Sequence, residues 1–168
     1  QKAAVDAMRE QMPKAAPSVL GGLASIVPGD GAIRAVYGGA DFAKRPQNAV
    51  TQDRLQAGST FKTFTLIAAM KTGKVALSST FDGHSPQFFK EFEDPSSDDP
   101  VLRRGGVNNA GGSSYGWIDV VKATASSVNT VFAQLNIIAT PEATVRAATD
   151  AGISTPLSTN YGNVLGTD

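Results

Sequence analysis

Apolar residues recur at helical spacing in AAVDAMREQM, residues 3–12, and predict a helix that Pro13 ends. The period then changes. VLGGLASIV at 19–27 and AIRAVYGG at 32–39 read as strands joined by the turn PGDG at 28–31, a β-hairpin. Their alternation is imperfect, which predicts that at least one strand is buried on both faces. Residues 40–58, rich in Asp, Pro, Asn, Gln and Gly, read as a long surface loop. Helical spacing returns in STFKTFTLIAAMK at 59–71, with apolar residues at 61, 64, 67, 68 and 70 and Gly73 as the stop. Serines, prolines and Gly-Gly pairs across 78–116 predict loops and short strands. IDVVKATA at 118–125 and NTVFAQLNIIA at 129–139 read as two short helices broken near Ser126 and Ser127. Thr140-Pro141-Glu142 opens a last helix, with Thr as cap and Pro at the first position, and Gly152 closes it. No internal repeat is visible, and no linker divides the chain.

Length and composition narrow what this chain can do. Its 168 residues suit one ordinary domain, and 41% hydrophobic against 18% charged residues provide for a packed core. Fifteen Lys and Arg balance fifteen Asp and Glu, which argues against a nucleic-acid clamp or an anionic-membrane binder. Cysteine is absent, so disulfides, thiolate metal sites and a Cys nucleophile are excluded. The single His, His84, rules out a multi-His metal site. Acyl-transfer or hydrolytic chemistry here would look to another base, and Lys is the obvious one. No apolar run approaches the ~18 residues of a membrane span. The first residues carry no initiator Met and no signal-peptide pattern, so the chain reads as a piece of a longer protein.

The sharpest chemical feature is Gly58-Ser59-Thr60-Phe61-Lys62. On a helix, positions 59 and 62 share a face with Cβ atoms roughly 5–6 Å apart. A Ser hydroxyl is a poor nucleophile until a base takes its proton, and a Lys amine made neutral by burial can do so. The plainer alternative is a capping Ser followed by a surface Lys. Ser127-Val128-Asn129, at the helix break, would point a hydroxyl and an amide the same way, or serve only as a cap. Ser158-Thr159-Asn160 reads as turn chemistry. His84, Asp98-Asp99 and Arg103-Arg104 read as solvated loop groups. Phe88, Phe89, Phe92, Tyr115 and Trp117 read as satellite packing, or as contacts for a long substrate.

Together, IVPGDGAIRAVYGGADF, NAVTQDRLQAGSTFKTFTL, WIDVVKATASSVNTVFAQL and the closing VLGT resemble the transpeptidase domain of class A (bifunctional) penicillin-binding proteins. Ala57 departs from the pattern, since many members carry Pro there. The resemblance implies an α/β (α+β) fold with a central antiparallel sheet and helices on both sides, incomplete in this chain. Residues 1–168 would be the N-terminal portion of the domain. It also implies that Ser59 is the acylated nucleophile, Lys62 its base, Ser127 a proton relay and Asn129 a ligand of the substrate backbone. Members cross-link peptidoglycan stem peptides at D-Ala-D-Ala and are acylated by β-lactams. No cofactor or metal is implied. The intact protein would be membrane-anchored, on the extracytoplasmic face.

In this family a third motif, Lys-Thr/Ser-Gly, lies on a strand beside the reactive Ser. Lys71-Thr72-Gly73 spells it but sits at the end of the Ser helix, where it reads as an ordinary helix stop. The third motif is therefore expected in a complementary segment, after position 168 or in another chain, without which residues 1–168 would neither fold stably nor react with penicillin. The alternatives within the fold are a D,D-carboxypeptidase or a β-lactamase. Outside catalysis the alternative is a β-lactam sensor or interaction module.

Overall fold

A computed structural model describes residues 1–12 and 18–167; the stop assigned to Pro13 lies outside them. The chain divides into two compact units, one ending at Leu55 and one beginning at Gln56. Sequence alone showed no such division, because the 40–55 stretch contains no recognisable linker. It is built of turns that bond within themselves: the Arg45 guanidinium pairs with Asp53 at 2.8 Å, and Gln47 donates to the same carboxylate at 2.6 Å.

In the first unit, helix α1 spans Lys2–Gln11, and strands β1 (Leu23–Ile26) and β2 (Ile33–Tyr37) form the expected antiparallel hairpin. The turn works because Gly29 and Gly31 adopt φ of 102° and 71°, which side chains resist. The Gln1 side chain acts as a short extra strand: its amide donates to the Val36 carbonyl and accepts from the Val36 N–H. The expected double-sided burial is not found. Ile26 and Ile33 are 57% and 64% exposed, because the described residues cover neither flank of the hairpin at its turn end.

The second unit carries the core. Residues Gly58–Phe61 form a 3₁₀ turn that runs into α2 (Lys62–Lys71). Strands β3 (Thr80–Asp82) and β6 (Trp117–Asp119) pair antiparallel, as do β4 (Gln87–Phe88) and β5 (Gly106–Val107), with α3 (Pro100–Arg103) between them in the chain. Helices α4 (Val120–Ala125), α5 (Asn129–Ala139) and α6 (Pro141–Asp150) follow. Of these, α4 alone begins later than the helix expected over 118–125. Residues 117–119 are strand, and Asp119 caps α4 by accepting from the Lys122 N–H at 2.7 Å. The protein is thus a mixed α/β (α+β) structure with a small, partial antiparallel sheet component.

Helix α5 is the pivot. Thr130, Val131, Phe132, Ala133, Leu135, Asn136 and Ala139 are all buried, so it is covered on nearly every side. Helix α2 packs against both α5 and α6 and buries Thr65, Ala68 and Ala69, small groups that permit close approach; Thr65 meets Thr144 of α6. The apolar face expected for α2 is therefore rotated: Ile67 and Met70 are 41% and 39% exposed, and Lys62 is inside.

A polar network runs through the same core. Asn136 donates to the Tyr161 carbonyl and to Asn163 Oδ1, both at 3.0 Å, and accepts from the Thr144 hydroxyl at 2.7 Å. Asn136, Thr144, Asn163 and Thr65 are wholly buried. These bonds pin α5, α6 and the 161–165 turn in one register, which apolar contacts alone would leave free to slide. Replacing Asn136 by Leu takes a partner from three groups, the Tyr161 carbonyl, Asn163 Oδ1 and the Thr144 hydroxyl, at about 1–3 kcal/mol for each one left unpaired. Asn136→Leu in the intact protein should lose at least about 3 kcal/mol in denaturant unfolding followed by circular dichroism. A loss under about 1 kcal/mol would show the network to be dispensable.

Candidate active site

The 3₁₀ turn at 58–61 explains how Ser59 meets Lys62. Three residues per turn put positions i and i+3 directly one above the other, tighter than in an α-helix. The Lys62 amine lies 3.0 Å from Ser59 Oγ. Ser59 caps nothing and is exposed, while Lys62 is 4% exposed, so the reading of a capping Ser with a surface Lys does not describe this geometry.

The turn is anchored from the far end of the chain. The Gly58 N–H donates to the Gly166 carbonyl at 3.1 Å, and Gln56 donates to the Thr167 carbonyl at 2.9 Å. Gly166 has φ of 68°, and a Cβ there would sit 2.1 Å from the Gly58 oxygen. Only Gly fits.

Ser127 and Asn129 arrive from the break between α4 and α5. Helix α4 ends in a Schellman arrangement: the Ser127 N–H donates to Thr124 O at 3.1 Å, and the Val128 N–H to Ala123 O at 2.9 Å. The left-handed position of that motif usually holds Gly, yet here it holds Ser127, with φ of 52°. Val128 then turns inward, 1% exposed, and Ser127 and Asn129 both face Lys62.

Four oxygens surround the Lys62 amine: Asn129 Oδ1 at 2.5 Å, Ser127 O at 2.8 Å, and the hydroxyls of Ser59 and Ser127 at 3.0 Å each. Its other neighbour is the Phe132 ring, 5.5 Å away at the centroid. Among the described residues no carboxylate pairs with it. Burial therefore drives its pKa down from 10.5 to about 8. As a neutral amine it has two N–H groups for the two obligate acceptors, Ser127 O and Asn129 Oδ1. Its lone pair is left facing the two hydroxyls, either of which can donate to it.

All four residues singled out in the sequence thus meet at one amine. Asn129 is used at both ends, since its Nδ2 donates to the Asn108 carbonyl at 2.7 Å, and its second N–H has no acceptor among the described residues. The other features lie elsewhere. Lys71 ends α2 with Thr72 as its cap and Gly73 at φ of 73°, and its amine lies 3.9 Å from Asp150. His84 is an exposed loop residue beside Asp82. Asn160 closes a turn on Ser158. The loop charges do local work: Asp99 caps α3, Arg103 donates to the Ser97 carbonyl, and Arg104 covers the Phe88 ring at 4.8 Å. Phe89, Phe92 and Tyr161 pack in a chain of rings, whereas Trp117 is 73% exposed.

Sequence reading missed Gly166 and the pair Asn108-Asn109. Two adjacent Asn near Gly-Gly read as loop, and nothing local marks one as buried.

The family model of the penicillin binding protein transpeptidase domain matches residues 24–163. The chain belongs to this family. Penicillin-binding protein 1A of Mycobacterium tuberculosis is 30% identical over 161 residues, covering 92% of this chain and 17% of that protein. Penicillin-binding protein 1A of Neisseria lactamica is 43% identical over 60 residues, covering 36% of this chain and 8% of that one. The structure of PonA1 from Mycobacterium tuberculosis in complex with penicillin V superposes with a TM-score of 0.76 at 28% identity, covering 99% of this chain and 44% of that one. Penicillin-binding protein 1A from Haemophilus influenzae, 23% identical with a TM-score of 0.74 over 86% of this chain and 20% of that one, shares the fold. The chain therefore spans less than half the length of each of these relatives.

Two outcomes follow from the geometry. Ser127→Gly should relieve the left-handed strain and raise stability by about 1 kcal/mol in denaturant unfolding, since such strain costs of order 1–3 kcal/mol. Loss of stability would mean that the Ser127 hydroxyl bond outweighs the strain. For Lys62 the folded pKa, about 8, lies below the ordinary 10.5. Between those values the unfolded state holds more protons, so stability rises with pH there and is lower by the full penalty below about pH 8. The difference in unfolding free energy between wild type and Lys62→Met should move towards wild type by about 3 kcal/mol from pH 7 to pH 10.5. A pH-independent difference would contradict the lowered pKa.

Proposed function

We propose that this chain is the N-terminal portion of a transpeptidase domain that cross-links peptidoglycan by D,D-transpeptidation through a serine acyl-enzyme. The observation that carries the reading is the buried Lys62 amine, held within hydrogen-bond distance of Ser59 Oγ, Ser127 Oγ and Asn129 Oδ1. In the proposed first half-reaction the Ser59 Oγ–H proton passes to Lys62 as Oγ bonds to the penultimate D-Ala carbonyl carbon of a stem peptide. The tetrahedral intermediate collapses, the C–N bond breaks, and a proton reaches the leaving D-Ala nitrogen through the Ser127 hydroxyl. In the second, the amine of a neighbouring stem attacks the ester carbonyl, gives up its proton along the same hydroxyls, and Ser59 leaves with it. The second Asn129 N–H would hold the substrate backbone.

The Ser59 amide supplies one oxyanion donor in this scheme. The second, with the Lys-Thr/Ser-Gly motif, comes from a complementary segment after position 168 or in another chain. Lys71-Thr72-Gly73 does not serve, since nine residues of helix separate Lys71 from Lys62, roughly 13 Å at 1.5 Å per residue. Among the described residues no helix is long and apolar enough to cross a membrane. Membrane anchorage, on the extracytoplasmic face where peptidoglycan lies, would thus reside outside them.

Penicillin V, the ligand in the PonA1 complex, is the natural probe. Intact mass of the complete domain should show one adduct, abolished by Ser59→Ala; an adduct on that variant would remove Ser59 from its role. Lys62→Arg should acylate at least about 10²-fold more slowly, because a guanidinium does not accept the proton. The acylation rate should climb with pH through a midpoint near pH 8 and level off above about pH 9, following the neutral fraction of Lys62. Cross-linking of muropeptides separates a transpeptidase from a sensor that only acylates.

A further inference from the structure

Helix α5 begins without a cap of its own. Val128 stands at its N-cap and has no side-chain acceptor, yet the helix carries Asn129 and follows directly on Ser127. The missing acceptor comes from twenty-one residues upstream. Asn109 Oδ1 accepts from the Thr130 N–H at 3.0 Å and from the Thr130 hydroxyl at 3.2 Å. Its Nδ2 donates to the carbonyls of Gly83 and Ser113 at 3.1 and 3.0 Å, and its own N–H donates to Ser85 Oγ at 2.9 Å. At 5% exposure, this side chain uses both ends of its amide to join a loop to a helix start.

We propose that Asn109 is a positioning residue for the site: it docks the 83–113 loop on the start of α5 and so fixes the Asn108 carbonyl that decides which end of Asn129 faces Lys62. The proposal rests on the acyl-transfer reading above. Its logic is that of an amide with two unlike ends. The Asn108 carbonyl accepts from Asn129 Nδ2 at 2.7 Å, which commits Oδ1 to the Lys62 amine. Without that carbonyl the Asn129 side chain is free to swing off the amine, and water takes its place there. The peptide bond between residues 108 and 109 makes the carbonyl's place a direct consequence of where Asn109 is held. Loosening the clamp also opens the amine to water, and since burial is what depresses its pKa, the expected change is upward.

Asn109→Ala and the near-isosteric Thr130→Val, in the complete protein, test this. Two readouts apply: Lys62 titration by NMR of lysine labelled with ¹³C at Cε, and the pH profile of penicillin V acylation. In Asn109→Ala, Lys62 should titrate about one pKa unit higher, and acylation at pH 7 should fall about tenfold, one unit being a factor of ten in the neutral fraction. Thr130→Val, which loses only the hydroxyl bond, should shift both in the same direction by less. A lower unfolding midpoint with the titration and pH profile of wild type would make Asn109 a structural cap only and overturn the proposal. If Asn109→Ala does not fold, an unshifted Lys62 in Thr130→Val overturns it. Lys62 titration needs no reaction, so a wild type without adduct overturns acyl transfer, while the titration still decides the part of Asn109.

Discussion

An amine held away from water, with no carboxylate beside it among the described residues, is the constraint on which the rest of the site depends. Burying a charged ammonium is costly, and the group responds by giving up its proton more readily. Among the described residues no carboxylate supplies a counter-ion. The protein surrounds Lys62 with neutral oxygens instead, from the 3₁₀ turn before α2, from the break between α4 and α5, and from the first residue of α5. A carboxylate in the same place would stabilise the cation and remove the base. Each neighbouring element is accordingly shaped by where its oxygen must sit.

Two of those elements depart from the least costly local solution. The Schellman position after α4 holds Ser127 where Gly would be unstrained, and the start of α5 has Val128 where Ser, Asn or Asp would cap. Both are local losses that place a hydroxyl and an amide on the amine. The compensation lies one layer back. Asn109 supplies the absent cap, and the Asn136–Thr144–Asn163 network fixes the register of the helices behind it. Conflict between local preference and adopted structure, concentrated at one site, is the usual mark of function.

Much of this was legible in the sequence because it is local. The hairpin rests on PGDG, the α2 stop on Gly73, the α6 start on Thr140-Pro141, and the Ser59–Lys62 pairing on a spacing of three. What was not legible depends on partners distant in the chain. The inward turn of Lys62 in place of Ile67 is set by the packing of α2 on α5, and no periodicity in 59–71 encodes it. Gly166 shows only as a Gly after Leu165, although its backbone holds the turn bearing Ser59. Asn109 is indistinguishable from Asn108 in the sequence, yet one is buried and bonded at both ends while its neighbour offers only a carbonyl to Asn129. Division at Leu55 escaped for the opposite reason: the loop before it is ordered by its own side chains and lacks a linker's composition.

The uneven exposure of the two central groups bears on how protons could move. Ser59 is open to solvent and substrate, whereas Lys62 is almost fully covered. In the proposed reaction the base therefore exchanges protons with the substrate only through hydroxyls, and two stand at equal distance from it, Ser59 and Ser127. One leads to the attacking oxygen and the other towards the leaving group. A single amine can then serve both halves of an acyl transfer, accepting along one hydroxyl and donating along the other, without becoming accessible to bulk water. The same covering that lowers its pKa also restricts its traffic to those two routes, so the basicity of Lys62 and the direction of proton transfer follow from one act of burial.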